Sequence, residues 1–180
     1  HVHSEKFGHA DGVNLVRLAK ACGIPDDRIA FTDQYAYRVG LPDTVVAAMY
    51  SAYDVLLAPS MGEGFGIPVV EAQACGVPVI VSNFSAQPEL VGDGWAVGGM
   101  PDWDEHQASW LQLPDIGDIV DALELAYDRQ GKPELARAKA EEYDIRRTWA
   151  EHWRPIMADL ETRLELPAVP AAQPVDVTAL

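Results

Sequence analysis

Cationic side chains are scarce in this chain: 13 Lys and Arg stand against 28 Asp and Glu, a formal charge of −15 at pH 7. So acidic a surface repels phosphate backbones and anionic headgroups, which sets aside nucleic acid and charged membrane surfaces as partners. Cysteine is scarcer still, with only Cys22 and Cys75. Two thiols so far apart offer neither a disulfide framework nor a metal signature, and both read as small buried residues compatible with a reducing cytoplasm. No apolar run approaches the ~18 residues of a membrane span. The dinucleotide fingerprint G-x-G-x-x-G is missing too: Gly62-x-Gly64 is followed three residues on by Ile67, which argues against a dinucleotide oxidoreductase. No internal repeat and no signal peptide are visible.

What the chain does have is ordinary globular material, with 180 residues and 48% hydrophobic content, enough for one α/β core. Its most informative stretch runs from Asp54 to Ser82. Asp54–Ala58 and Val77–Val81 are apolar runs of strand length. Between them, Gly62, Gly64 and Gly66 free the backbone to turn and to approach a ligand. Pro68 suits the first helical position and Gly76 a left-handed stop, so a helix of about nine residues is expected between two parallel strands.

In such units the ligand sits beyond the carboxyl ends of the strands, where helix N-termini attract anions. Glu71, placed in the first helical turn, should lean back towards the crevice that also holds Gly62–Gly66 and the loop residue Glu63. Taken singly, Glu71 reads equally well as a helix-start acid, and Glu63 as a solvated loop residue. Together they pose a question, because each would repel a phosphate. They fit a ligand whose hydroxyls they can accept from, with a diphosphate between, and a nucleotide-sugar is such a ligand.

The run S-M-G-E-G-F-G-I-P-V-V-E-A-Q-A-C-G-V-P-V-I resembles the donor-site signature of the family 4 retaining glycosyltransferases, enzymes built from two facing Rossmann-like domains. Their E-x(7)-E pair corresponds to Glu63 and Glu71. The resemblance implies that Glu63 orients the transferred sugar as the catalytic-site residue and Glu71 holds the ribose hydroxyls. It implies a donor-binding set of Gly62, Gly64, Phe65, Gly66, Ile67, Glu71 and Tyr35. Gly64, Phe65 and Gly66 would offer amides, and Tyr35 would help hold the nucleobase. It implies no metal and no cofactor beyond the nucleoside diphosphate sugar substrate. The family's Arg and Lys that neutralise the pyrophosphate have no counterpart here. Since His1–His3 reads as the end of a strand, an earlier strand, that basic pair and the acceptor-side domain are expected upstream.

Around this unit, residues 1–145 are expected to form a Rossmann-like parallel sheet with helices on both faces, N-terminally incomplete. Helices are expected over Asp11–Ala21, from Pro42 to about Tyr53, Asp115–Gln130 and Lys132–Tyr143, with Asp144 capping the segment after it. Arg28–Thr32 reads as a strand, Asp33–Gly40 as a loop at the ligand edge and Gly94–Gly98 as a short edge strand. Val45, Val46, Met49 and Tyr50 are expected on the inner side of one helix. Ile116, Ile119, Val120, Leu123 and Ala126–Tyr127 should face inward on another. Residues 99–113 show no periodicity and read as a loop, with room for a lid over the donor. The Asp-x-Asp of Asp102 and Asp104 within it is a weak metal signal.

In residues 146–165, Trp149, Trp153, Ile156, Leu160 and Leu164 recur at helical spacing, with a kink expected at Pro155. They are expected to pack on this domain; the resemblance offers a crossing to the upstream domain instead. Residues 166–180 read as a disordered tail. The sequence thus points to the donor-binding half of a cytoplasmic, retaining glycosyltransferase. That half would act on a nucleotide-sugar and a glycan, lipid or protein acceptor, with any membrane attachment left to the upstream part. A nucleotide-sugar epimerase and a non-catalytic sugar-nucleotide-binding or partner-binding module are the alternatives.

Overall fold

In the computed structural model, residues 1–8, 12–128 and 132–164 are described. The organising unit forms as the sequence implies. Strand β1 (Leu56–Ala58) leads through the glycine loop into helix α4 (Ile67–Ala74), and β2 (Val79–Ser82) returns parallel to β1, with Leu57 opposite Ile80. Strand β3 (Gly94–Val97) adds in parallel on the far side of β2, at the edge of a three-stranded sheet ordered β1-β2-β3.

Side chains alternate across β2, and each face is covered by a helix. Val79 and Val81 join Val69 and Ala72 of α4, Val77 and Leu90 in one buried cluster. Ile80 points the other way, into a second cluster with Val97 and Ala122 of helix α5 (Ile116–Asp128). This is a Rossmann-like layering of helices on both faces of a parallel sheet. The α4 side is braced by helix α6 (Pro133–Glu141), whose Ala136 is fully buried.

Preceding these are α1 (Leu15–Ala21), α2 (Gln34–Val39) and α3 (Asp43–Ser51). Of the strand expected over Arg28–Thr32, the chain keeps one parallel bridge, Val2 to Phe31, after a short 3-10 turn at Asp26–Arg28. Asp33–Gly40 is helix α2 rather than a loop, because Asp33 caps it by accepting from the amides of Tyr35 and Ala36.

The inner faces expected of two helices are partly wrong. Val45 is exposed on α3, and Ile116, Val120 and Tyr127 are exposed on α5, where Ile119, Ala122 and Leu123 do the packing. A sheet this narrow covers only a strip of each helix, so the apolar flanks stay outside. Cys22 is exposed and Cys75 half-buried, so neither is the fully buried residue expected.

Residues 99–113 depart most from expectation. They form an antiparallel hairpin of β4 (Gly99–Asp104) and β5 (Ser109–Pro114), with Trp103 opposite Trp110 and their rings edge-to-face at 5.3 Å. The aromatic cross-strand pair supplies the stability that the absent alternation hid.

At the C-terminal end, Asp144 caps α7 (Ile145–Thr148) as expected, accepting from Arg146 and Arg147. A π-helical turn (Trp149–Trp153) then runs into α8 (Arg154–Leu164). Pro155 lacks an amide hydrogen, and the widened turn directly before it is where the helix absorbs that loss. Trp149, Trp153, Ile156, Leu160 and Leu164 are all exposed, so the expected packing on this domain is not found. The tail expected over residues 166–180 lies outside the described residues, as do Asp11 and the end of the Gln130 helix; Gly12 and Val13 are not helical, because Asn14 caps α1 and starts it at Leu15. Among the described residues, no helix is long and apolar enough to cross a membrane.

Candidate functional site

The loop between β1 and α4 is held from beneath by polar side chains. The Ser60 carbonyl accepts from Ser82 Oγ at 2.6 Å and from Gln87 Nε2 at 3.2 Å. Gln87 is fully buried, and its other amide atom accepts from the Ser82 backbone N–H at 2.9 Å. So braced, Ser60 donates through Oγ to Glu63 Oε1 at 2.8 Å, while the Glu63 N–H donates to Ser85 Oγ at 2.9 Å. Glu63 is therefore fixed at both its backbone and its carboxylate, and it faces an open hollow of about 780 Å³. Gly62 and Gly64, Phe84 and Ser85 line that hollow, as do Asp104, Gln107, Ser109, Trp110 and Leu111 of the hairpin.

Two glycines of the loop differ in what they do. Gly66 is the N-cap of α4 with φ 103°, in the left-handed region, and a Cβ there would lie 3.1 Å from Leu90 Cδ1. Gly64 has neither constraint: a Cβ would meet no protein atom within 4 Å. Gly66→Ala is accordingly expected to cost about 1–2 kcal/mol of stability in urea melts, the left-handed penalty for an L-residue. Gly64→Ala should leave the melt unchanged and act only on ligand binding.

No side chain caps α4; Pro68 has no N–H and the Val69 N–H donates back to the Gly66 carbonyl at 2.9 Å, which leaves the Ile67 amide available at the loop. Pro68 is the second helical residue rather than the first, and Glu71 is the fifth. That puts Glu71 one residue further from the helix start than expected, about 6 Å along the axis from Ile67. Its Oε2 accepts from the Tyr50 hydroxyl at 3.1 Å. Burial first, and the Glu71 carboxylate second, push the Tyr50 phenol far above its usual range, so Tyr50 stays a neutral donor.

The single crevice expected for both acids is not observed. Glu71 lines a hollow of about 620 Å³ with His1, His3, Tyr50, Tyr53, Leu57 and Pro68. It also borders a smaller one of about 450 Å³ with Phe65, Ile67 and Tyr143. Glu63 lines neither. Residues 59–64 line the hollow at the hairpin, whereas after the turn at Gly64–Gly66 Pro68 and Glu71 line the one beside α3 and Ile67 the one beside Tyr143. Phe65 packs edge-on against Tyr143, with ring centroids 5.3 Å apart. Tyr35 stands 78% exposed on α2 and lines none of these three hollows.

Sequence reasoning missed Ser60, Ser82, Ser85 and Gln87, whose roles depend on strand neighbours, and the whole hairpin wall. Asp102 and Asp104 lie on one strand, and Asp104 Oδ1 accepts from the Gln107 amide at the tip.

The family model for glycosyl transferases group 1 matches residues 15–142. The chain is 35% identical over 134 residues to a D-inositol 3-phosphate glycosyltransferase of Mycolicibacterium smegmatis, covering 74% of this chain and 26% of that protein. It is 43% identical over 72 residues to the O-antigen chain mannosyltransferase B of Escherichia coli, covering 40% of this chain and 19% of that protein. Among solved structures it resembles a sucrose-phosphate synthase from Thermosynechococcus elongatus. The TM-score is 0.52 at 24% identity, over 87% of this chain and 36% of that one, a likeness of fold alone. The chain thus spans about a quarter or less of the length of these two curated relatives. A parallel sheet with helices on both faces, an uncapped glycine-loop helix and this match over most of the sequence lead to one assignment: the chain belongs to the group 1 glycosyl transferases.

Proposed function

We propose that this chain is the donor-binding half of an enzyme that moves a sugar from a nucleoside diphosphate sugar to an acceptor hydroxyl, with retention and without a metal. The observation that carries the reading is the fixed Glu63 beside an uncapped helix N-terminus, with Glu71 in a separate hollow after the turn. A sugar nucleotide is polyhydroxylated at both ends and anionic in the middle. Two acids in two hollows suit the ends, with Glu63 towards the sugar and Glu71 towards the ribose. The free amides of Gly64–Ile67 suit the diphosphate, where they and the helix dipole would stabilise charge on the leaving group. The relatives' names, a mannosyltransferase and an inositol phosphate glycosyltransferase, agree with sugar transfer.

Acceptor choice and closure against water belong to a facing domain. Calorimetry with GDP-mannose and UDP-glucose is therefore expected to give weak binding by the 180-residue chain, and product analysis only slow transfer. Brisk transfer by this chain alone would overturn the half-site reading. Glu71→Ala should weaken sugar-nucleotide binding about tenfold, the worth of a charge-assisted hydrogen bond, with the circular dichroism spectrum unchanged. Unchanged affinity would remove Glu71 from the site.

A further inference from the structure

The hollow that holds Glu63 is walled on one side by the β4–β5 hairpin. This hairpin is docked on the glycine loop rather than hanging free. The Gln112 N–H donates to the Met61 carbonyl at 2.8 Å, so β5 continues into the loop edge-to-edge. The Gln112 side chain is buried and donates to the Val97 carbonyl at 3.2 Å, tying the hairpin to the end of β3. Leu111 packs over Gly62, where its Cδ2 would lie 3.3 Å from an added Cβ. Three attachments fix β5 at Leu111 and Gln112 against the loop that carries Glu63.

The lining has a consistent chemistry. Glu63 and Asp104 are both acidic, which disfavours an anionic group inside this hollow. Ser85, Gln107 and Ser109 are uncharged hydrogen-bonding side chains, and Phe84 and Leu111 are apolar. A neutral ring with hydroxyls on its rim and an apolar face matches such a wall. Of the two non-glycine residues with positive φ among those described, Ser85 at 52° lines this hollow, and Ala108 at 48° makes the tip turn between Gln107 and Ser109, which line it.

We propose that the hairpin tip is a carbohydrate-contacting element, with Asp104 and Gln107 accepting from and donating to hydroxyls of the donor hexose held over Glu63, so that the hairpin helps select which hexose is transferred. This rests on the donor-binding reading and extends it to residues outside the glycine loop.

The test is nuclear magnetic resonance on the 15N-labelled 180-residue chain, titrated to millimolar ligand with GDP-mannose, UDP-glucose, GDP and UDP. At least one sugar nucleotide is expected to move the amide resonances of Gln107 and Ser109 together with that of Glu63. The matching nucleoside diphosphate should move Gly64–Ile67 and leave the tip still. Asp104→Ala should weaken the sugar nucleotide about tenfold and the nucleoside diphosphate less than twofold, with Asp104→Asn retaining part of the affinity. Loop shifts with a silent tip, or equal weakening of both ligands, would overturn the hairpin proposal while leaving the donor reading standing. Silence of loop and tip towards all four probes would sink both.

Discussion

Replacing Gln73 by Leu should destabilise the chain by about 3 kcal/mol, although the two side chains are similar in size and no cavity opens. Gln73 is fully buried near the C-terminal end of α4, against residues 90–93. Its Nε2 donates to the Val69 carbonyl at 3.1 Å and the Leu90 carbonyl at 2.7 Å. Its Oε1 accepts from the amides of Gly92 at 2.7 Å and Asp93 at 3.3 Å. Leucine would make none of these bonds and would leave the Leu90 carbonyl and the Gly92 and Asp93 amides without this partner. Each buried orphan costs about 1–3 kcal/mol, and the apolar gain of Leu offsets only part of that. Thermal unfolding should fall by roughly 6–12 °C in a chain of this size. Urea melts showing a loss below about 1 kcal/mol would mean that water or a backbone shift replaces the amide.

Replacing Gln87 by Leu is expected to act on stability and ligand binding together. The Ser82 N–H loses its acceptor in a fully buried strand, at about 2 kcal/mol. The Ser60 carbonyl keeps only Ser82 Oγ, so the residue that holds the Glu63 carboxylate gains freedom. Sugar-nucleotide binding should then weaken about tenfold, since a site acts only as well as its supporting shell holds it. Ser60→Ala separates the two effects. It removes the 2.8 Å bond to Glu63 without disturbing the buried amide, so it should reproduce the loss of binding at nearly unchanged stability. If Gln87→Leu destabilises the fold yet leaves GDP-mannose and UDP-glucose affinity intact in calorimetry, the brace is structural only.

How far the chain was legible before its structure depends on the kind of signal each element carries. The β1–α4–β2 unit was legible because every signal in it is local: two apolar runs of strand length, Pro68 just inside the helix and Gly76 just past it. The Asp144 cap was legible for the same reason. Helix α2 was not, because Asp33 was read as a loop residue when its carboxylate caps a helix. The hairpin was hidden because its two strands pair through Trp103 and Trp110, a contact between positions with no local periodicity.

By itself, the sequence determined the parallel α/β class, the glycine loop, the two glutamates and the family to which they point. These rest on covalent geometry and on short-range spacing, which a chain carries whatever it packs against. Only the tertiary structure decided that Glu63 and Glu71 open onto separate hollows, that Gln87 and the serines hold the loop, and that a hairpin walls the hollow at Glu63. Those outcomes depend on which distant backbone groups are brought within hydrogen-bond reach, and burial settles that only once the sheet and its helices have closed on one another.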